Sequence, residues 1–421
     1  MTTIRTIESS PGLTSKRNSG RRPKQRMPLV VPLLMIGAFL MCTTENIVAG
    51  LLSQISTDLQ ITEARAGLLI TIFAIGMAVG APLMAIATRR LSPRVSLVGA
   101  LMVFAVGHAF TALSSSFEAS LVARFISAVA TGAFWSVAAV AATAAAGPVL
   151  ASRALGLMMS GVGLATVAGV PLGAFLGQLV GWRGTFWMLT ILTVIAAAII
   201  GRIAPSHSAT DPASIVAELR SFRQVKIWLV LAATAVVSGG VMAAFSYIQP
   251  LLTYRTGLPQ WTVPIALVVF GIGCLLGTNL AGRLGDKHAV ITFIGATVLG
   301  TIVLALLVPF STNTVATFVL IFLVGAAGLC IPPLATGLSI RLASAAPTLA
   351  AASAVAAYNG GVALGSWIAG YALESSLGVT GPDAVGAIMV GFGLIPLIAL
   401  AILGTTRPER RDETPSRRGM K

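Results

Sequence analysis

The segment ARAGLLITIFAIGMAVGAPLMAIA, at residues 64–87, indicates the fold class of this chain. Its 24 residues include one charged side chain, that of Arg65. At a rise of about 1.5 Å per residue, a helix of this length extends about 36 Å. That length crosses a hydrocarbon core about 30 Å thick. The segment therefore predicts a transmembrane helix.

Eleven more apolar segments of about 20 residues or more accompany it. They lie at 28–52, 94–115, 118–146, 153–178, 182–203, 226–252, 261–284, 288–310, 314–338, 347–372 and 383–404. Hydrophobic residues make up 56% of the chain and charged residues 10%, whereas about 25% of a typical soluble domain is charged. The mean hydropathy is +0.91. The sequence predicts an all-α membrane protein with twelve transmembrane helices.

The basic residues predict the orientation of these helices. With both termini in the cytoplasm, 24 of the 28 Lys and Arg residues fall in the tails and cytoplasmic loops, and three fall in the outer loops. This distribution follows the positive-inside rule. Because the net charge of +15 lies in short loops and tails rather than on one folded face, we expect no nucleic-acid partner.

The longest connection between predicted helices, at about 204–225, divides the chain into two sets of six. Thr88-Arg89-Arg90 after the second helix and Asp286-Lys287 after the eighth stand in equivalent loops about 200 residues apart. The predicted organisation is a disordered basic cytoplasmic arm, an N-terminal six-helix half, a cytoplasmic linker, a C-terminal six-helix half and a basic cytoplasmic tail. Their ranges are 1–27, 28–203, 204–225, 226–404 and 405–421.

Four short motifs support a family assignment: TTEN at 43–46, LVAR at 121–124, GVPLG at 169–173 and GRLGDK at 282–287. They resemble motifs of bacterial major facilitator exporters in the drug:proton antiporter group, which includes chloramphenicol, sugar and purine nucleoside exporters. The loop after the second helix departs from the pattern, with Thr88 where the superfamily usually has Asp. The resemblance implies two six-helix halves of major facilitator type, an inner-membrane location and proton-driven export.

Glu45 is the one acidic residue well inside a predicted helix, and the other twelve, including Asp383, lie in loops, tails or helix ends. An ionisable group inside the bilayer is expensive and by default functional, so we predict that Glu45 carries the coupled proton. The alternative is a neutral carboxyl group in a hydrogen-bond network. Arg124 is the one basic residue inside a helix, and in the family this arginine is associated with proton coupling.

Helix rise places Glu45 and Arg124 each about 10 Å from the outer ends of their helices. We therefore predict an ion pair or a water-bridged pair between them. The alternative is that Arg124 extends to the outer headgroups. His108 in the third helix is a further proton-coupling candidate, with a hydrogen-bonded packing histidine as its alternative.

Polar and aromatic residues inside the helices are the candidates for substrate binding, with core packing as the alternative for each. They are Asn46, Trp135, Phe245, Tyr247, Gln249, Tyr358 and Asn359. We expect a small, largely uncharged amphipathic substrate such as a chloramphenicol-like drug, because a sugar would need more buried amides and carboxylates. Sugars or purine nucleosides are the alternative, followed by a sensor that does not transport.

The remaining predictions concern gating, packing and chemistry. Gly169, Pro171 and Gly173 predict close helix packing and a possible kink in the fifth helix. Four residues of the cytoplasmic loops are gating candidates, with a solvated turn as the alternative: Arg89, Arg283, Asp286 and Lys287.

We expect no enzyme activity, cofactor or metal, since the sequence carries no catalytic or metal-binding motif. The expected partners are protons, a small molecule and the lipid bilayer, and we expect a monomer.

Overall fold

The structure is a computed structural model that describes residues 27–204, 224–328, 330–343 and 347–404. The predictions for the N-terminal arm, the central linker and the C-terminal tail lie outside these residues. The described chain is almost entirely helical.

Within that part of the chain, nine continuous helical segments are long and apolar enough to cross a membrane. Two of them, of 55 and 51 residues, each contain two crossings, because the helical backbone breaks at Gly181 and at His288. The helix Pro347–Glu374 completes the set of twelve. We number the crossings as spans 1–12: Val30–Gly50, Glu63–Ala87, Pro93–Leu113, Phe117–Gly147, Val149–Ile203 (spans 5 and 6), Val225–Ser246, Gln260–Phe310 (spans 8 and 9), Thr314–Leu342, Pro347–Glu374 and Gly378–Ile402.

The short connections follow from the residues at the helix ends. Thr62, Ser92 and Ser116 each accept a backbone N–H of the following turn through the side-chain oxygen, so each caps the helix that begins spans 2, 3 or 4. Gly147 and Gly181 have positive φ values of 71° and 76°. Such a backbone is readily adopted only by glycine, and it allows a reversal between consecutive spans with almost no loop.

The twelve spans form two six-helix halves of major facilitator type, spans 1–6 and spans 7–12. The halves meet mainly where span 2 packs on span 11 and where span 5 packs on span 8. In the second contact, Gly271 lies against the backbone of Thr166 and Val167, and an added Cβ atom would lie 2.6 Å from the Thr166 carbonyl oxygen. The absence of a side chain therefore allows the halves to touch at this point.

Span 5 packs closely on span 1, as the glycines of the GVPLG motif lead one to expect. A Cβ atom added to Gly169 would collide with Thr43 Oγ1, and one added to Gly173 would collide with Ile47 Cδ1. The π-helical turn Ala165–Gly169 directly precedes Pro171, which has no N–H to donate to that turn. This contact fixes span 1 on either side of residue 45.

One end of the bundle carries hydrogen bonds between the two halves. Three join described residues: Ser53 N to Gln249 Oε1, Tyr254 Oη to Glu63 Oε1, and Gln178 Nε2 to Gln260 O. We call this the Ser53 end. The opposite end carries the loop with Asp286, and we call it the Asp286 end.

Candidate functional site

A narrow cavity lies between the halves and is lined by spans 1, 2, 7 and 11. Its walls are mostly apolar and aromatic, with one carboxylate and two amides among them. The lining residues are Glu45, Asn46, Ala49, Ile70, Phe73, Ala74, Met242, Phe245, Ser246, Tyr358, Asn359 and Val362. Five of the predicted substrate or proton residues therefore meet in one place: Glu45, Asn46, Phe245, Tyr358 and Asn359.

The two amides of the cavity are oriented by their own helices. Asn46 donates from Nδ2 to Cys42 O at 3.2 Å, and Asn359 donates from Nδ2 to Val355 O at 3.0 Å. Each amide nitrogen therefore uses one of its two N–H groups within its own helix. Asn359 Oδ1 is buried without a hydrogen-bond partner. A ligand that donates an N–H or O–H would satisfy it.

Arg124 is buried inside the N-terminal half, with 1% of its surface exposed, so it does not extend to the headgroups. Its Nη1 donates to Thr44 O at 3.2 Å and its Nε to Leu69 O at 3.4 Å. Its guanidinium carbon lies 4.2 Å from the centre of the Phe73 ring. Backbone carbonyls and an aromatic face thus hold this charge within the low-dielectric interior.

The predicted direct ion pair between Glu45 and Arg124 is not formed in this structure. Among the described residues, the two salt bridges are Arg65–Glu118 and Asp58–Arg183. Arg124 reaches span 1 at the carbonyl of Thr44, one residue before Glu45, and its Nη2 is buried without a partner. The guanidinium therefore adjoins the peptide bond between Thr44 and Glu45 rather than the Glu45 carboxylate, and Nη2 remains available as a donor.

His108 packs among aromatic rings behind the cavity rather than in its wall. Its ring centre lies 4.1 Å from that of Phe104 and 5.5 Å from that of Phe186. Nδ1 lies 2.7 Å from Phe104 O, so Nδ1 carries the hydrogen and Nε2 is the free acceptor. Nε2 is buried without a partner. The geometry matches the packing alternative and leaves one nitrogen uncommitted.

Three predicted substrate residues lie outside the cavity. Trp135 packs against the cluster of Phe73, Met77 and Ala128. Tyr247 donates to Ser366 O at 3.2 Å, and Gln249 accepts from Ser53 N. The helix of span 7 ends at Ser246, and Tyr247 has non-helical angles of φ −116° and ψ 26°. The predicted span at 226–252 is therefore interrupted at Tyr247, and the residues beyond it do not continue the face that carries Phe245.

The gating candidates lie at the Asp286 end. Arg283, Asp286 and Lys287 are exposed, and Asp286 takes part in neither of the two salt bridges among the described residues. Arg341 donates from Nη2 to Gly285 O at 3.4 Å beside them. The side chain of Arg89 lies outside the described residues. A charged latch at this end stays a prediction.

The structure adds residues that the sequence did not single out. Phe73, Met242 and Ser246 line the cavity, and Phe73 also stacks on Arg124. Asp383 lies in the first turn of the helix Gly381–Phe392, at a helix end as predicted, but only 1% of its surface is exposed and Oδ2 has no partner. Close contact of Gly381 with Ala372 draws this end of span 12 into the bundle. Among the described residues, Asp383 is therefore a fully buried carboxyl group, whereas Glu45 is partly exposed in the cavity wall.

Three cysteines, Cys42, Cys274 and Cys330, are buried and free. In the described ranges, no cluster of three His, Cys, Asp or Glu side chains has the arrangement of a metal site.

Comparisons with known proteins agree with this geometry. The Major Facilitator Superfamily model matches residues 34–352 and 262–420. The chloramphenicol resistance protein of Streptomyces lividans is 34% identical over 387 residues, covering 90% of this chain and 98% of that protein. The inner membrane transport protein YdhP of Escherichia coli K12 is 29% identical over 372 residues, covering 88% and 95%. A crystal structure of a mutant of the nucleoside transporter NupG covers 89% of this chain and 100% of its own, with a TM-score of 0.69 and 15% identity.

Proposed function

Because the chain belongs to the Major Facilitator Superfamily, we propose that it is a proton-coupled exporter of a small, largely uncharged amphipathic molecule and works by alternating access. The observation that carries the proposal is the position of Glu45. Its carboxylate lies in the wall of a cavity to which both halves contribute. A proton and a substrate that bind there alternately are exchanged across the membrane by a single rocking motion.

The charge distribution supports the direction of this exchange. The Asp286 end belongs to the loops that hold 24 of the 28 basic residues, so we assign it to the cytoplasm and the Ser53 end to the outside. The three hydrogen bonds between the halves close the outer end. This arrangement fits a carrier that receives its substrate from the cytoplasm.

Arg124 supports a coupling mechanism in which protonation and conformation are linked. An ionised Glu45 is costly when the cavity is sealed from water, whereas a protonated Glu45 is not. The cavity therefore closes more readily with a proton on Glu45 or with a bound substrate that compensates its charge. Arg124 fixes the backbone at Thr44 and supplies a positive potential that changes as span 1 moves.

The lining of the cavity supports an amphipathic substrate. Phe73, Phe245 and Tyr358 provide rings for an apolar body, and the amide oxygens of Asn46 and Asn359 accept from hydroxyl or amide groups. The chloramphenicol resistance relative carries such a substrate class in its name. The proposed functional unit is a monomer in the bilayer.

An efflux and resistance screen tests the substrate assignment. The protein is produced in a host without its own efflux pumps and challenged with chloramphenicol, arabinose and purine nucleosides. We expect the protein to raise the inhibitory concentration of chloramphenicol-like compounds and to lower their accumulation in the cells. A Glu45→Gln variant expressed at the same level should confer no resistance and should leave accumulation unchanged. Export of arabinose or a nucleoside with no effect on chloramphenicol would reject the proposed substrate class.

A further inference from the structure

Ser53, Glu63, Gln249 and Tyr254 form a hydrogen-bonded network at the outer end, which we call the outer latch. Ser53 Oγ and Tyr254 Oη both donate to Glu63 Oε1, the latter at 3.4 Å. Ser53 N donates to Gln249 Oε1 at 3.2 Å. Ser53 and Glu63 belong to the N-terminal half, and Gln249 and Tyr254 belong to the C-terminal half. The network therefore has to break when the outer end opens.

The backbone contact of the latch is a helix cap supplied by the opposite half. Ser53 is the second residue of the short helix Leu52–Leu59, where backbone N–H groups have no partner within the helix. Gln249, which is 1% exposed, reaches across to accept one of them. Opening the outer end leaves this N–H without its acceptor.

The side-chain contact of the latch depends on an ionisable group. A carboxylate accepts hydrogen bonds that are roughly twice as strong as those between neutral groups. The charge of Glu63 raises the pKa of Tyr254, so the phenol keeps its proton as a donor. Tyr254 is 65% exposed, so water and protons from the outside reach the Glu63 side of the network.

The ionisable groups around Glu63 are the phenols and carboxyls of the facing spans. The hydroxyl of Tyr247 lies against Gly67, one turn from Glu63, and against Gly370 of span 11. Glu374 stands one turn beyond Gly370 and is exposed. Arg65 is close in sequence, but it pairs with Glu118 at 3.6 Å. Neither salt bridge among the described residues neutralises Glu63.

We propose that Glu63 is a second proton site of the carrier, which holds the outer latch closed as a carboxylate and releases it when protonated from the outside. The proposal rests on the assignment of the Ser53 end to the outside under the proposed function. Protonation removes the charge from both hydrogen bonds to Oε1 and favours the outward-open state. The outer solution would thus open the path through which Glu45 receives its proton.

Distance measurements between the halves test the latch without transport or substrate. Spin labels are placed at Ser115→Cys, in the loop between spans 3 and 4, and at Ser376→Cys, in the loop between spans 11 and 12, since both positions are exposed at the outer end. The parent protein carries Glu45→Gln, so titration of Glu45 does not contribute. Distances are recorded between pH 5 and pH 8 for the parent and for added Glu63→Gln, Tyr254→Phe and Glu118→Gln.

We expect longer distances between the labels in the parent as the pH falls. The ratio of open to closed molecules should rise by up to about tenfold for each pH unit. Glu63→Gln should be open at pH 8, with the ratio raised about tenfold, and should not respond to pH. Tyr254→Phe should raise the open fraction at pH 8 and keep the pH response. Glu118→Gln also replaces a glutamate with glutamine at the outer end, but the partners of Glu118 lie in its own half. This variant should therefore behave as the parent.

Two results would overturn the proposal: a pH response in Glu63→Gln equal to that of the parent, or Glu63→Gln and Tyr254→Phe distributions at pH 8 that match the parent. Tyr254 is exposed, so its variant remains informative if Glu63→Gln does not fold. The readout is a distance, so the latch can be tested separately from transport. If the protein does not export chloramphenicol but shows the expected distance shifts, the proposed function is rejected and the latch is still supported.

Discussion

Replacement of Arg124 with Lys tests whether the guanidinium couples span 1 to the rest of the N-terminal half. Arg124 contacts three groups at once: Thr44 O through Nη1, Leu69 O through Nε and the Phe73 ring through its face. A lysine keeps the charge but has no planar fork, so its ammonium can hold one carbonyl and loses the other. A hydrogen bond from a charged donor contributes about 1.5–3 kcal/mol.

Loss of one such hydrogen bond lowers the population of the conformation in which residue 124 contacts both carbonyls by roughly ten- to a hundredfold. We expect gradient-driven export by Arg124→Lys to fall within that range, because the contact fixes the residue before Glu45. Substrate binding should change much less, since Arg124 does not line the cavity. The assay measures export rate and the ratio of protons to substrate in proteoliposomes, and binding by calorimetry in detergent.

The matched control is Arg65→Lys. Arg65 is exposed, lies 5.3 Å from the centre of the Phe117 ring and pairs with Glu118, so the same substitution removes a similar contact where water compensates it. Export by the control should be close to that of the wild type. If Arg124→Lys exports at the wild-type rate with the wild-type proton ratio, the guanidinium has no coupling role.

Three further predictions address topology, gating and packing. Cysteines introduced at Ser208 and Ser416 should be labelled from the cytoplasm and one at Ser115 from the outside, and labelling of all three from one face would reject the twelve-span topology. Asp286→Asn should slow transport at nearly unchanged substrate affinity, because the residue lies at the cytoplasmic end, and a large affinity loss with normal cycling would contradict this role. Gly173→Ala should destabilise the protein by about 1–3 kcal/mol through overpacking against span 1, and an unchanged melting temperature would show that the contact is loose.

Sequence reasoning was most successful where a physical constraint acts on one residue at a time. A charge or a long apolar stretch has a large transfer free energy in the bilayer whatever surrounds it. The spans could therefore be read from hydropathy, and Glu45 could be selected as a carboxyl group inside a span. The assignment of Arg124 as an interior residue has the same origin, and the structure places it at 1% exposure.

Sequence reasoning was less successful where the answer depends on how helices end and touch. Gln249 was placed on a continuous helix, but that helix is interrupted at Tyr247, and sequence spacing gives no warning of the break. Asp383 was read as a helix end, yet tight packing at Gly381 draws it inside. Phe73 was not predicted as a cavity residue, because the sequence of an apolar span does not distinguish an aromatic residue that lines a cavity from one that faces lipid.

Accumulation of substrate in proteoliposomes measures whether Glu45 couples proton movement to export. In vesicles with an acidic lumen, carriers whose cytoplasmic face is outward should concentrate substrate in exchange for protons. One proton per molecule supports about tenfold accumulation per pH unit, or about 1.4 kcal/mol.

We predict that the wild type and Glu118→Gln accumulate substrate and that a protonophore abolishes this accumulation. Glu45→Gln keeps a similar shape without a titratable group, so it should fail to accumulate substrate while still exchanging it down a gradient. If Glu45→Gln concentrates substrate as the wild type does, Glu45 is structural, and the coupled proton has to be sought at another buried group such as His108 or Asp383.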